Sequence, residues 1–260
     1  MVLNKLFVII DPTTETQPAF ERALQSAHMT GTRLHLYACV PVDDEAQCAA
    51  LRHQLEGMVK RCLEEGVEAH GELDEGEDWS ARAVRAAARC AASLVFKSSF
   101  THSSVQRELR PTSDFTLLRL APCPVLLVKD QHDWHSRRVV AAVNSQSVDD
   151  AHVRLNNLVV SLAQNFSDAY GSDVHFVSAY ADANSPPDAD ALAERFGAPV
   201  EHIHVARGSA AEVITEQARA VDADLIIIGT VGRSGIKGRV VGNTAEKVLD
   251  NTDADVLVVN

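Results

Sequence analysis

The sequence predicts an α/β protein of two tandem doubly wound domains, each with a parallel sheet covered by helices. Segments typical of strands and helices follow the same order in the two halves of the 260-residue chain, which indicates an internal repeat. Most strand-like segments are continuous Val, Ile and Leu runs, typical of parallel strands buried on both faces. A mostly polar stretch at residues 129–136 lies between the copies. We therefore place the boundary near residue 133 and expect domains over residues 1–130 and 137–260.

Five strands are predicted in each copy, and each strand of the first copy has a counterpart in the second. The first strands, at residues 6–10 and 139–143, are both followed by an Asx residue, Asp11 and Asn144. The later pairs, in chain order, are residues 34–40 and 174–180, residues near 67–70 and 200–205, residues 93–96 and 225–228, and residues 125–128 and 256–259. The near-equal spacing within the copies predicts two similar sheets related by a pseudo-two-fold axis.

Helices are predicted between the strands of both copies, so that each half reads β-α-β-α-β-α-β-α-β. A glycine-marked turn, at Gly76 and at Gly208, precedes an Ala-rich amphipathic segment at residues 81–91 and 210–220. A further helix is expected over residues 245–249, opened by residues 242–244. Strands alternating with helices of this length are typical of a parallel α/β sheet.

Composition and charge exclude several classes of function. The chain carries 24 basic and 36 acidic residues, a formal charge of −12, and its 18 Arg and 6 Lys are scattered, which argues against nucleic-acid partners. No stretch approaches the 18 apolar residues of a membrane span, and the first residues lack the pattern of an export signal. Five cysteines without a C-x-x-C pair fit neither a disulfide framework nor a structural zinc site. We expect a cytoplasmic protein with no membrane partner.

A glycine pattern in the second copy is the main candidate for chemistry. Gly229, Gly232 and Gly242 follow its fourth strand and lead into a helix, at the sheet edge where doubly wound folds bind ligands. Free N–H groups at a helix N-terminus, with the Thr244 hydroxyl beside them, suit a phosphate. The alternative is that these residues only form turns and a helix cap. Neither G-x-x-x-x-G-K-[ST] nor G-x-G-x-x-G is present.

The spacing Gly229-x2-Gly232-x9-Gly242 resembles the nucleotide-binding signature of universal stress proteins. The stretches 229–236 and 242–246 are most similar to the tandem-domain, E-type branch of that family, and residues 97–99, 117–119 and 123–130 are similar to it too. The resemblance implies a sheet of order 3-2-1-4-5 in each copy and an intramolecular pseudo-dimer, with a further homodimer as an alternative. It also implies that the second copy binds ATP or a related adenine nucleotide, with or without Mg²⁺.

The expected nucleotide contacts lie after the first and fourth strands of the second copy. They are Asn144, Gly229, Thr230, Gly232, Arg233, Gly242, Asn243 and Thr244. Asn144 stands where nucleotide-binding members carry Asp, and Asn243 where they carry Ser or Thr. The first copy has no glycine between Lys97 and Val125, so we expect it not to bind nucleotide in the family's manner.

Three functions remain open from the sequence. The first is a stress-response regulatory protein whose second domain binds nucleotide, the second is a slow ATPase, and the third is a carrier of another small or apolar ligand. No catalytic residue is predicted, because no G-x-S-x-G or similar nucleophile setting is present. His202 and His204 are expected to share the solvent face of a strand, with metal binding as the less favoured alternative.

Overall fold

A computed structural model describes residues 3–42, 45–99, 112–129, 134, 137–230 and 242–260. The chain divides into two compact units, Val2–Gln131 and His132–Asn260. In the described residues of the first unit, the elements in chain order are β1 (Lys5–Ile9), α1 (Pro18–Thr30), β2 (Arg33–Val40), α2 (Glu45–Glu64), β3 (Ala69–Glu75), α3 (Trp79–Arg89), β4 (Leu94–Ser98), α4 (Thr112–Leu120) and β5 (Val125–Val128).

The second unit repeats this order of strands. In its described residues the elements are β6 (Arg138–Ala142), α5 (Asp150–Tyr170), β7 (Asp173–Tyr180), α6 (Ala189–Phe196), a 3₁₀ turn (Val200–His202), β8 (Ile203–Arg207), α7 (Ala210–Ala220), β9 (Leu225–Gly229), α8 (Asn243–Asp250) and β10 (Asp255–Val259).

Both sheets are parallel and share one topology. The strand order is β3-β2-β1-β4-β5 in the first unit and β8-β7-β6-β9-β10 in the second, so each sheet has the order 3-2-1-4-5. All neighbouring pairs in both units are parallel. The predicted α/β class and strand order are therefore confirmed. Connections between parallel strands require crossovers, and the helices supply them.

The central strands form the core of each unit. Leu6, Phe7 and Val8 of β1 are fully buried, and so are Leu225, Ile226 and Ile227 of β9. These strands carry apolar side chains on both faces, and their burial shows that both faces of the sheet are covered. None of the helices in the described part of the chain has the length and apolar composition that a membrane crossing needs.

The third strand of each sheet begins later than the sequence predicts. β3 begins at Ala69 and β8 at Ile203, and the residues before β8 form the 3₁₀ turn. Both are edge strands with one hydrogen-bonded neighbour, and both carry polar residues such as Glu72 and His204. Their bounds are therefore set by pairing with β2 and β7 rather than by an apolar run.

Candidate functional site

A cavity of about 300 Å³ opens at the carboxyl ends of β6, β7 and β9, beside the start of α8. Five of the predicted contact residues line it: Asn144, Gly229, Thr230, Gly242 and Thr244. Asn243, the first residue of α8, is exposed and is not among the lining residues. Gly232 and Arg233 lie outside the described residues. The structure thus gathers predicted contact residues from Asn144 to Thr244, 100 positions apart in sequence, at one edge of the sheet.

Asn144 is held at the cavity by a buried side chain that the sequence does not single out. The Asn156 side chain, 6 % exposed, accepts a hydrogen bond from the Asn144 backbone N–H at 3.0 Å and donates one to its carbonyl at 2.8 Å. The preceding residue, Val143, donates to the Val177 carbonyl at 2.9 Å. The backbone at the end of β6 is therefore fixed. The Asn144 side chain is exposed and makes no hydrogen bond within the described residues.

Gly242 stands at the N-cap of α8, where neither its backbone angles nor its described neighbours require a glycine. Its φ of −66° and ψ of 142° are open to any residue, and a Cβ there would meet no described atom within 4 Å. Its carbonyl accepts the Glu246 N–H at 3.1 Å and so begins the helix, and no side chain among the described residues caps the N-terminus. The start of α8 borders the cavity, and N–H groups at the first turn of a helix suit an anionic ligand.

Gly229 is glycine for a different reason. A Cβ at this position would lie 2.5 Å from two carbon atoms of the Leu155 side chain, on α5. That distance is an overlap, so packing of α5 against the end of β9 requires the glycine. Gly229 also lines the cavity, and a contact between its backbone and a ligand stays a prediction.

His152 is a lining residue that the sequence analysis missed. It lies in the first turn of α5, where Asp149 is the N-cap and accepts the His152 backbone N–H at 3.1 Å. The Nδ1 atom of His152 lies 2.6 Å from the same carboxylate. Hydrogen bonds from Ser147 and from His152 hold the pKa of Asp149 well below its usual range. The signal in the sequence is an N-cap Asp followed three residues later by His.

The inner wall of the cavity is made of small apolar side chains. It includes Ala142, Val177, Ala179, Ala210 and Ile228. An apolar wall with amide, hydroxyl and imidazole groups at one side is a common composition of a small-molecule site.

Larger side chains occupy the matching positions of the first unit. Strand register places Ile9 where Ala142 lies, Tyr37 where Val177 lies and Lys97 where Ile228 lies. Trp79 begins α3, as Ala210 begins α7, and the Lys97 Nζ atom lies 5.5 Å from the centre of its indole ring. The first unit therefore carries larger side chains at positions whose counterparts line the cavity of the second unit.

The position of Gly229 is also changed in the first unit. Its counterpart, Ser98, is 2 % exposed, and its hydroxyl accepts the Ala19 N–H at 3.1 Å. This hydrogen bond ties the end of β4 to the first turn of α1. The pair of side-chain hydrogen bonds that Asn156 makes to the backbone of Asn144, which we call the backbone clamp, has a counterpart in the first unit. There Gln17 accepts the Asp11 N–H at 3.0 Å and donates to the Asp11 carbonyl at 2.7 Å.

Comparisons with known proteins identify the family that shares this architecture. The model of the universal stress protein family matches residues 3–129 and 137–260. Universal stress protein E of Escherichia coli K12 is 27 % identical over 295 aligned positions, which cover 98 % of this chain and 93 % of that protein. The Haemophilus influenzae homologue is 35 % identical over 171 residues, covering 55 % of this chain and 54 % of that protein.

A solved structure agrees over the whole length. The functionally unknown protein PA1789 from Pseudomonas aeruginosa PAO1 has a TM-score of 0.83 and 27 % identity, covering 99 % of this chain and 92 % of that one. Two family matches span nearly all of the sequence, and both units have the order 3-2-1-4-5. The chain therefore belongs to the universal stress protein family.

Proposed function

We propose that the second unit binds an adenine nucleotide and that the protein acts in the stress response as a regulatory binding module. The observation that carries the proposal is the cavity beside α8, where an apolar wall meets the uncapped helix N-terminus at Gly242. A purine ring fits an apolar wall of small residues, and a phosphate suits free N–H groups at the start of a helix. The volume of about 300 Å³ suits the nucleoside part, with the phosphates at the open side.

The polar groups at the rim support this orientation. The exposed Asn144 amide offers both a donor and an acceptor to ribose hydroxyls, on a backbone that Asn156 fixes. Thr244, in the first turn of α8, lines the cavity, and we expect its hydroxyl to hydrogen-bond a phosphate. The lining within the described residues contains no carboxylate. Any Mg²⁺ is therefore expected to be held by the phosphates rather than by these residues.

Binding is favoured over hydrolysis by the chemistry of the lining. His152 is the one titratable side chain among the described lining residues, and its Nδ1 is engaged by Asp149. Hydrolysis of ATP needs a group that positions water and a cation that stabilises the phosphate charge. The apolar wall favours one other candidate, the carrier of a small apolar ligand.

The test measures nucleotide binding by the full chain, by isothermal titration with ATP, ADP and AMP. We expect one site per chain, and we expect Gly242→Val to weaken it at least about tenfold because the new side chain fills the ligand's path. The N-cap change costs about 1 kcal/mol of stability at most. Gly57→Val is the matched control, because Gly57 also has open space around its Cβ position and an ordinary φ.

The outcomes separate the candidates. Wild-type binding that Gly242→Val removes and Gly57→Val retains supports the site. Equal affinity in all three proteins contradicts it. No nucleotide binding by the wild type, together with an apolar compound released on denaturation and identified by mass spectrometry, would favour the carrier. Phosphate release above the Gly242→Val background would favour the ATPase.

A further inference from the structure

A second cluster of polar side chains lies at the opposite end of β7 from the cavity. Asp173 and His175 are at the amino-terminal end of β7, and His202 ends the 3₁₀ turn before β8. His175 Nε2 lies 3.4 Å from one Asp173 oxygen, and His202 Nδ1 lies 3.3 Å from the other. One ligand atom from each of the three residues can be chosen so that all lie within 4.8 Å of one another.

Strand pairing brings these residues together. Asp173 and His175 alternate along β7 and so lie on one face. β7 pairs with β8 from Phe176 and Ile203 onward, which places His202 beside His175. The ring centroids of these two histidines are 4.6 Å apart. His202 and His204 were expected to face solvent on a strand, but His202 lies in the turn and both rings pack against His175.

His204 orients His175. His175 is 8 % exposed, and its Nδ1 lies 2.9 Å from His204 Nε2. This hydrogen bond occupies one ring nitrogen and leaves Nε2 on the side of Asp173. Histidines that bind metals commonly have their second ring nitrogen held in this way by a neighbouring group.

We propose that Asp173, His175 and His202 form a binding site for Zn²⁺, with His204 as a positioning residue. Zinc takes imidazole nitrogen and carboxylate oxygen ligands at about 2.0–2.2 Å in tetrahedral geometry. Ligand atoms of such a tetrahedron are separated by roughly 3.3–3.5 Å, by the geometry that follows from those bond lengths. Each imidazole nitrogen lies at about this distance from one Asp173 oxygen, 3.4 and 3.3 Å to the two different oxygens, and one ligand atom from each residue can be chosen with all three within 4.8 Å. A small rotation of the carboxylate would bring one oxygen to both nitrogens.

The types of the three ligands favour some metals over others, and their number leaves one coordination position open. Two imidazoles and one carboxylate suit Zn²⁺ and other first-row transition metals better than Mg²⁺ or Ca²⁺, which prefer oxygen. Three protein ligands leave one tetrahedral position for water or another molecule. The Asp173 and His202 side chains are 45 % and 27 % exposed, so an ion can reach the site.

The first unit keeps the two central histidines of this cluster but differs at the two other positions. Its corresponding residues are Arg33, His35, His70 and Glu72, at the register positions of Asp173, His175, His202 and His204. Arg33 puts a cation where Asp173 offers a carboxylate. His35 Nε2 is bonded to Glu72 at 2.8 Å. The first unit is therefore not expected to bind the metal, and it supplies control positions within the same chain.

The experiment uses the full chain, freed of metal by a chelator and titrated with Zn²⁺ in competition with a chromogenic chelator. We expect one Zn²⁺ per chain in the second unit. His202→Ala and Asp173→Asn should each weaken binding at least about tenfold, whereas His70→Ala should leave it unchanged. His204→Gln should weaken binding by roughly 10–100-fold without removing a ligand, as loss of an orienting partner does.

Cobalt gives an independent readout. Co²⁺ bound to the wild type should show the strong visible absorption of a tetrahedral site, and His202→Ala should lose it. A melting curve for each variant checks folding, and His202 is less buried than His175, so its variant is the more secure test. Undiminished Zn²⁺ affinity in folded His202→Ala and Asp173→Asn proteins, or absence of Zn²⁺ binding by the wild type, would overturn the proposal.

Discussion

The hydrogen bonds from Asn156 to the backbone of Asn144 lie beside the cavity, whereas those from Gln17 to Asp11 lie in the first unit. We therefore expect Asn156→Ala and Gln17→Ala to have similar effects on stability but different effects on nucleotide affinity. Asn156 makes two hydrogen bonds to the backbone of Asn144, at 3.0 and 2.8 Å, and Gln17 makes the equivalent two to Asp11, at 3.0 and 2.7 Å. Replacing either side chain with Ala leaves a backbone N–H and a carbonyl without these partners. A polar group that loses its buried partner costs about 1–3 kcal/mol. Because each end of the strand lies near solvent, we expect a total of about 1–3 kcal/mol for each variant.

The two variants should differ in nucleotide binding. Asn156→Ala frees the backbone at the cavity and should weaken ATP binding at least about tenfold, whereas Gln17→Ala should leave affinity unchanged. Urea unfolding followed by circular dichroism gives the stability, and isothermal titration gives the affinity. Asn156→Asp should fall between wild type and Asn156→Ala, because a carboxylate accepts from the N–H but cannot donate to the carbonyl. Equal affinities in the two Ala variants, or an Asn156→Ala protein as stable as wild type, would refute the reasoning.

Three further predictions concern stability and reactivity. Trp134→Phe removes the 2.9 Å hydrogen bond from Nε1 to the fully buried Asp255, and denaturant unfolding should show a loss of about 1–3 kcal/mol. Burial lowers the pKa of His35 despite its hydrogen bond to Glu72. The neutral ring therefore contributes to the free energy of unfolding above pH about 6.5, and this contribution is lost as the pH falls toward the lower pKa of the folded state. Wild type should therefore lose stability relative to His35→Phe between pH 7.5 and about 5, and parallel unfolding curves at the two pH values would contradict this. Burial raises the pKa of Cys62 to about 11 and that of Cys123 to about 12, so brief alkylation at pH about 8 should modify Cys48 first, as peptide mass spectrometry would show.

The central strands and the location of the cavity could be predicted from sequence because local signals determine both. Strands such as β9 and β10 are continuous apolar runs, buried on two faces, and their register repeats between the copies. The topology of a doubly wound sheet then places the residues after its first and fourth strands at one edge. Asn144, Gly229 and Gly242 could be assigned to that edge without a structure.

The remaining features depend on contacts that no local pattern encodes. Asn156 is one polar residue in a long helix, and only the fold shows that it reaches the backbone of Asn144. The clash that makes Gly229 necessary comes from Leu155, 74 positions earlier in the chain. The histidine cluster needs the pairing of β7 with β8, and β8 lacks the apolar run that would have fixed its bounds.

A few exchanges at equivalent positions account for the different side chains at the two ends of the sheets, on which both proposals depend. At the carboxyl end of the sheet, Ala210 and Ile228 line a cavity, and the larger Trp79 and Lys97 stand at their positions in the first unit. At the amino-terminal end, the carboxylate of Asp173 is replaced by the guanidinium of Arg33. Neither exchange disturbs the buried strand residues, so both sheets keep the same topology. The two proposed sites can therefore be confined to one copy without loss of the fold, because the residues that hold the sheet together are not those that line its ends.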